Sequence, residues 1–121
     1  MALTQDLGSH GEEKVALWLT KQGFTIQAMN YRQRCGEIDI IACKNEVLAF
    51  VEVKLRTHAY FNISEVITPS KQAKIIRTAM MYIMEHKISN KVYRFDVALL
   101  EKHTDKYKLT YLPNAFTQSA Y

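Results

Sequence analysis

The chain reads as an α/β protein with a mixed sheet, because its apolar runs come in the order helix, three strands, helix, two strands. Two amphipathic stretches of helical period supply the helices, and five short runs with strand character supply the sheet. A third observation fixes the centre. Two β-branched runs, residues 38–42 and 47–53, flank the polar break Lys44-Asn45-Glu46, which signals a β-hairpin.

With 121 residues the chain is long enough for one domain, and at this size roughly 65% of the unfolded surface is buried without help from disulfides. Residues 1–8 and 117–121 are expected to be flexible ends of that domain. Hydrophobic residues make up 48% and charged residues 23%, which places the chain among ordinary globular proteins. Sixteen Lys and Arg against twelve Asp and Glu give a net charge of +4, compatible with a nucleic-acid partner but not diagnostic of one. Cys35 and Cys43 match no zinc spacing and no disulfide framework, so both are read as reduced thiols. The first ten residues lack the regions of a signal peptide, and no apolar run approaches the ~20 residues of a membrane span. A bacterial cytoplasm is the expected location, with no membrane partner.

The first helix is expected to begin at Ser9, where Ser9 and Glu12 form a Ser-x-x-Glu capping box. Val15, Trp18, Leu19 and Gln22 trace its inner face, and Gly23 ends it. Residues 24–29 alternate as a first strand. Residues 30–35 then form a loop with Tyr31, Arg32 and Arg34, whose charges and ring suit phosphate contact and base stacking, or simply a solvated loop with its tyrosine on the core.

In the hairpin, Asp39, Glu52 and Lys54 sit inside apolar runs, where a charge is costly unless paired or bound to metal. Strand period puts Glu52 and Lys54 on one face. With Asn45-Glu46 as the turn, Lys44 pairs with Val47, and the same register sets Asp39 opposite Glu52. Opposed residues have Cβ atoms about 4.5–5.5 Å apart, close enough for two carboxylates to share a divalent cation. An ordinary ion pair between Asp39 and Lys54 is the alternative. Nearby carboxylates should raise the Lys54 pKa and keep its amine charged.

Residues 57–68 carry His58, Tyr60 and Phe61 without periodicity, as in a segment that orders on substrate binding. Thr68 caps a second helix with Pro69 at its first position, running to His86-Lys87. Its buried face is expected to hold Ala73, Ile76, Ala79 or Met80, and Ile83, with Met81 and Met84 near the core. Lys71, Lys74 and Thr78 share another side, so the first turn offers free N–H groups and two lysines to a DNA phosphate. A solvated basic face is the alternative, favoured for Lys74. Residues 92–100 form a strand on which Arg94 and Asp96 make a structural ion pair. Residues 107–112 form the last strand, stopped by Pro113, and Phe116 docks on the core.

An aspartate followed, after a spacer, by Glu-X-Lys on an apolar strand resembles the signature of the PD-(D/E)XK nuclease superfamily. Here it runs Ile38-Asp39, then Glu52-Val53-Lys54, with Ile38 where that superfamily usually has proline. The chain is also similar, over nearly its whole length, to the bacterial YraN-like family grouped with those nucleases. The shared motifs are Gly-Glu-Ile-Asp at 36–39, Phe-Val-Glu-Val-Lys at 50–54, Ser-Lys-Gln at 70–72 and Arg-Phe-Asp-Val at 94–97. Archaeal Holliday-junction resolvases resemble it more distantly.

The resemblance implies a restriction-endonuclease-like core, a central mixed five-stranded sheet flanked by two main helices. It further implies a Mg²⁺- or Mn²⁺-dependent endonuclease acting on DNA, on branched or otherwise structured forms by the resolvase likeness. Asp39, Glu52 and the Val53 carbonyl would then be metal ligands and Lys54 a catalytic residue. Glu12 matches a first-helix glutamate beside the metal site in related nucleases, so capping and catalysis stand level for it. Lys71 and Gln72 lie in a shared motif and would contact DNA, with Arg32, Arg34 and Lys74 as further contacts. A homodimer follows from the resolvase likeness alone. A nucleic-acid-binding module that does not cut, or a protein-interaction scaffold, are the rival functions.

Overall fold

The computed structural model describes residues 3–56 and 66–117. Helix α1 (Leu3–Lys21) is followed by β1 (Thr25–Gln33), β2 (Gly36–Lys44) and β3 (Val47–Arg56), then helix α2 (Pro69–Glu85), β4 (Val92–His103) and β5 (Lys106–Phe116). The strands lie in the order β1-β2-β3-β4-β5. All neighbours are antiparallel except β3 and β4, which run parallel. A parallel pair needs a crossover, and α2 lies within it. This is the mixed five-stranded sheet with two helices, in the order expected.

Each face of the sheet carries its own core. On one side α1 lays Val15 and Leu19 against Ile40, Ala42, Ala49, Val51, Ala98 and Leu100. On the other, Ile75, Ala79 and Tyr82 of α2 pack on Ile41, Leu48, Phe50, Phe95, Val97 and Leu99. The alternation along β3 and β4 therefore decides which residues meet which helix.

Helix α1 starts earlier than the Ser9 cap predicts. It already runs through Leu3, so Ser9 lies inside the helix and cannot be its N-cap. A Ser-x-x-Glu pattern is a local signal only, and the helix runs on past it to Leu3. At the other end the Gly23 stop holds: Phe24 N–H donates to the Leu19 carbonyl and Gly23 N–H to that of Thr20, both at 3.0 Å, with Gly23 at φ +99°. That is a Schellman motif, and the left-handed position explains the glycine.

The first strand is longer than the sequence suggests, since β1 continues to Gln33 and only Arg34 and Cys35 remain as a turn. Tyr31 accounts for the extension. Its ring packs edge-on against Tyr82 at 5.1 Å and its hydroxyl donates to Glu85 at 2.8 Å, tying the strand to α2. Tyr31 is thus a packing residue.

Thr68 caps α2 as expected, its hydroxyl accepting from Lys71 N–H at 3.2 Å with Pro69 in the first turn. The buried face is Ile75, Thr78, Ala79 and Tyr82, and Ala73 is exposed. Met81 and Met84 are also exposed. The polar Thr78 buries because its hydroxyl donates to the Lys74 carbonyl at 2.8 Å and meets the Cys35 thiol. Both cysteines are free. The expectations for residues 57–65, including His58, Tyr60 and Phe61, and for 118–121 lie outside the described residues.

Pro113 does not stop the last strand. Strand β5 sits at the sheet edge and passes through Pro113 and Asn114 by a register shift, reaching Phe116, which stacks on Phe95 at 5.3 Å. Proline is tolerated on an edge, and the buried Asp96 holds the bulge together. Its carboxylate accepts from Asn114 N–H at 2.8 Å, from Arg94 at 2.9 Å on each oxygen, and from the Tyr111 hydroxyl. Desolvation and the Asp96 charge push the Tyr111 pKa far up, so it stays a donor. The expected Arg94–Asp96 pair is present, and it organises the β4–β5 edge.

Truncating one partner of such a buried network leaves the others unmatched. Asp96→Ala should lower unfolding stability by about 3–5 kcal/mol in urea denaturation. A loss below about 1 kcal/mol would show that the clamp is not what holds β5.

Candidate metal centre

The hairpin turn forms at Asn45-Glu46, and Lys44 pairs with Val47. Asn45 takes φ +54° while Glu46 does not take a positive φ, the pattern that a type II′ turn asks of its first central residue alone. The ladder runs from there to Ile40 opposite Val51, so the next step sets Asp39 opposite Glu52. At that step a side chain takes over from the backbone. Asp39 Oδ2 accepts the Val53 N–H at 2.8 Å, where the strands part.

Glu52 is buried at 6% exposure and Asp39 is half-buried. Both line a cleft of about 200 Å³ together with Gly36, Glu37, Lys71, Lys74 and Ile75. Gly36 lets α2 come this close: a Cβ there would stand 3.0 Å from Thr78 Oγ1 and 3.5 Å from the Lys74 Cβ. The close approach of helix and strand carries Lys71 over the carboxylates. Lys71 Nζ lies 2.8 Å from Glu52 Oε2, and Lys54 Nζ lies 3.7 Å from the same oxygen.

Two like charges facing each other out of water raise the cost of ionising both. Burial first, and the Glu52 charge second, push the Asp39 carboxyl up to about 8, with Glu12 adding to the shift and the Val53 N–H opposing it. Glu12 is also raised, by burial first and by the charges of Glu37 and Glu52, while a hydrogen bond with Asn30 pulls it down. With Ser9 inside the helix, capping no longer accounts for Glu12. It stands beside the carboxylate pair and shares its field.

The two lysines divide their roles in a way the sequence did not reveal. The Lys54 amine is lowered, by burial and then by the neighbouring Lys71. Glu52 and Asp39 push it up as expected, but the expected net rise is overturned because burial and the second ammonium outweigh them. Lys71 is raised, because its contact with Glu52 outweighs its own burial. Opposite shifts follow from distance: Lys71 makes the close ion pair, and Lys54 faces both the pair and a second ammonium.

Among the other sequence candidates, Lys74 is exposed at the cleft rim, the position where either reading left it. Arg32 is exposed and pairs with Glu37 at 3.4 Å, and Arg34 sits exposed in the β1–β2 turn. Gln72 donates to the Ile67 carbonyl at 3.0 Å and so steadies the entry to α2. The Val53 side chain packs towards α1. Glu37 and Asn30 were not singled out in the sequence, although Glu37 stands inside the Gly-Glu-Ile-Asp motif.

The donor set suits a hard divalent cation. Mg²⁺ takes one or two carboxylates and keeps several waters, and Asp39 with Glu52 supplies that share. Among the described residues no set of three His, Cys, Asp or Glu side chains is close enough to form a larger metal cluster.

A family profile, that of the uncharacterised protein family UPF0102, matches residues 11–100. The chain belongs to that family. It is 41% identical over 115 residues to a UPF0102 protein of Clostridium perfringens, covering 93% of this chain and 94% of the relative. To UPF0102 proteins of Clostridium botulinum and Alkaliphilus oremlandii it is 42% and 37% identical, covering 93% and 94% of this chain and 94% and 100% of theirs. The UPF0102 match spans every residue of the carboxylate and lysine cluster. Among the described residues of this UPF0102 chain no helix is long and apolar enough to cross a membrane.

Because the folded Asp39 carboxyl holds its proton up to about pH 8 and the unfolded one releases it near 3.8, the folded state binds more protons across that window. Stability therefore falls as pH rises from about 4 to 8. In chelator, Asp39→Asn should flatten this slope and be the more stable of the two proteins at pH 8, read by thermal unfolding. Equal slopes in the two proteins would contradict the repulsion between Asp39 and Glu52.

Proposed function

We propose that this chain is a metal-dependent endonuclease that hydrolyses DNA phosphodiester bonds. The observation that carries the reading is the convergence of Asp39 and Glu52 on one cleft, with the Lys71 and Lys54 amines 2.8 Å and 3.7 Å from Glu52 Oε2. A protein that only binds phosphate gains nothing from two clustered carboxylates, which repel it. The similarity to PD-(D/E)XK nucleases, in the Asp39 and Glu52-Val53-Lys54 pattern, supports the same chemistry.

Asp39 and Glu52 would hold Mg²⁺ or Mn²⁺, with the Val53 carbonyl as a further ligand. A divalent cation there supplies Lewis acidity and a water of lowered pKa. Lys71 remains charged and, from the first turn of α2, binds a phosphate oxygen at the positive end of the helix. Lys54, whose amine gives up its proton more readily, takes the proton of the attacking water. Glu12 holds the first helix against the site and orients its water. Lys74 at the cleft rim, with Arg32 and Arg34 beyond it, contacts the phosphate backbone, and Gln72 keeps Lys71 in place through the α2 entry. Branched DNA is the favoured substrate through the resolvase likeness, and a homodimer would set two centres on two strands.

The test is cleavage of single-stranded, duplex, flap and four-way DNAs in Mg²⁺ or Mn²⁺. Cutting of at least one substrate, lost with Asp39→Ala and with Glu52→Ala, is expected. A panel left intact by the native protein would overturn the reading. Lys54→Arg keeps the charge but cannot accept a proton at neutral pH, and should cost about 10²–10⁴-fold in rate. Full activity in that variant would assign Lys54 to charge stabilisation instead.

A further inference from the structure

The face of the sheet that carries α1 is covered unevenly. Helix α1 packs over β1 to β3, and the row Tyr107, Leu109 and Tyr111 of β5 is left half-buried at its flank. Two clefts open along that flank, about 690 Å³ and 260 Å³ in volume, and Trp18 lines both. Basic and aromatic side chains alternate from one to the other. Lys14 Nζ lies 5.0 Å above the Tyr107 ring, Trp18 lies against Tyr111 with centroids 4.8 Å apart, and Lys44 Nζ lies 5.7 Å above Phe24.

The cations are held in place without being neutralised. Lys44 Nζ donates to the Gln22 carbonyl at 2.7 Å, and among the described residues neither Lys14, Lys44 nor Lys106 has an acidic partner. Arg94 is fixed by Asp96 and so presents a rigid edge to the smaller cleft. The ionisable groups facing this surface are His10, Lys14, Lys44, Arg94, Lys106, Tyr107, Tyr111 and the single acid Asp105.

We propose that the groove between α1 and β5 binds single-stranded DNA, its bases on Trp18 and the β5 tyrosines and its phosphates on Lys14 and Lys44. A cationic groove with successive aromatic platforms is the general solution for an unpaired strand. The spacing agrees. Tyr107 and Tyr111 are four residues apart on β5, about 14 Å, which about four nucleotides span at the duplex rise of 3.4 Å per strand. The larger cleft lies beside His10, near the middle of α1 and two residues from Glu12, and the smaller lies beside Lys44 at the hairpin turn. The inference rests on DNA as the substrate of the proposed function, but not on cleavage.

Trp18 is the only tryptophan, so its fluorescence reports on this groove directly. Full-length protein in chelator is titrated with a twelve-nucleotide oligothymidylate. Saturable quenching is expected, weakening with salt, and Lys14→Glu/Lys44→Glu should weaken it at least ~10-fold. The salt slope should drop by about 1.4, two phosphate contacts at about 0.7 each. Lys87→Glu, at the end of α2, should change neither, and circular dichroism should show both variants folded. No quenching, quenching indifferent to salt or to the double variant, tighter binding of oligouridylate, or equal quenching by polyglutamate would each overturn the assignment. Since no metal is present, a protein that binds here but never cuts disproves only the nuclease reading, and one that cuts with this groove silent disproves only the groove.

Discussion

Two carboxylates that repel each other stand where β2 and β3 separate, and much of the surrounding architecture bears on that repulsion. The ladder ends at Ile40 and Val51, and Asp39 reaches across to the Val53 N–H that the ladder would have used. Positive charge arrives from outside the hairpin. Thr68 and Pro69 fix where α2 begins, Gly36 allows the helix to approach, and Lys71 then closes on Glu52. Glu12 adds further negative charge from α1. Such an arrangement costs stability, and a fold keeps it only where something else is gained.

The second buried aspartate shows what a purely structural solution looks like. Asp96 is fully buried, yet every direction around its carboxylate is met by a donor: Arg94, Tyr111 and the Asn114 backbone. Asp39 has one backbone donor and two carboxylate neighbours. Both sit in strands of the same sheet. One is fully met by donors and fastens an edge strand, and the other is left short of them. The contrast separates site from scaffold more clearly than burial alone could.

Much of this was legible in the amino acids. The register of the hairpin followed from the Asn45-Glu46 break, and with it the opposition of Asp39 and Glu52. The α2 cap, the Gly23 stop and the Arg94–Asp96 pair were equally local signals. What escaped was set by contacts between distant segments. Tyr31 became strand because Tyr82 and Glu85 hold it, β5 passed Pro113 because Asp96 accepts the Asn114 N–H at the bulge, and the lowered Lys54 amine depends on a lysine on another element. The Ser9-x-x-Glu12 pattern misled for the opposite reason, since a good local motif lost to a longer helix. That loss removed the structural explanation for Glu12 and moved it towards the site.

Crystals soaked in Mn²⁺ and measured at the manganese absorption edge address the centre most directly. An anomalous peak between the Asp39 and Glu52 carboxylates, absent in Asp39→Asn crystals treated alike, is the expected result. A map with no peak there, and with Lys71 still closed on Glu52 at saturating Mn²⁺, would contradict the idea that these two acids were brought together to hold a metal.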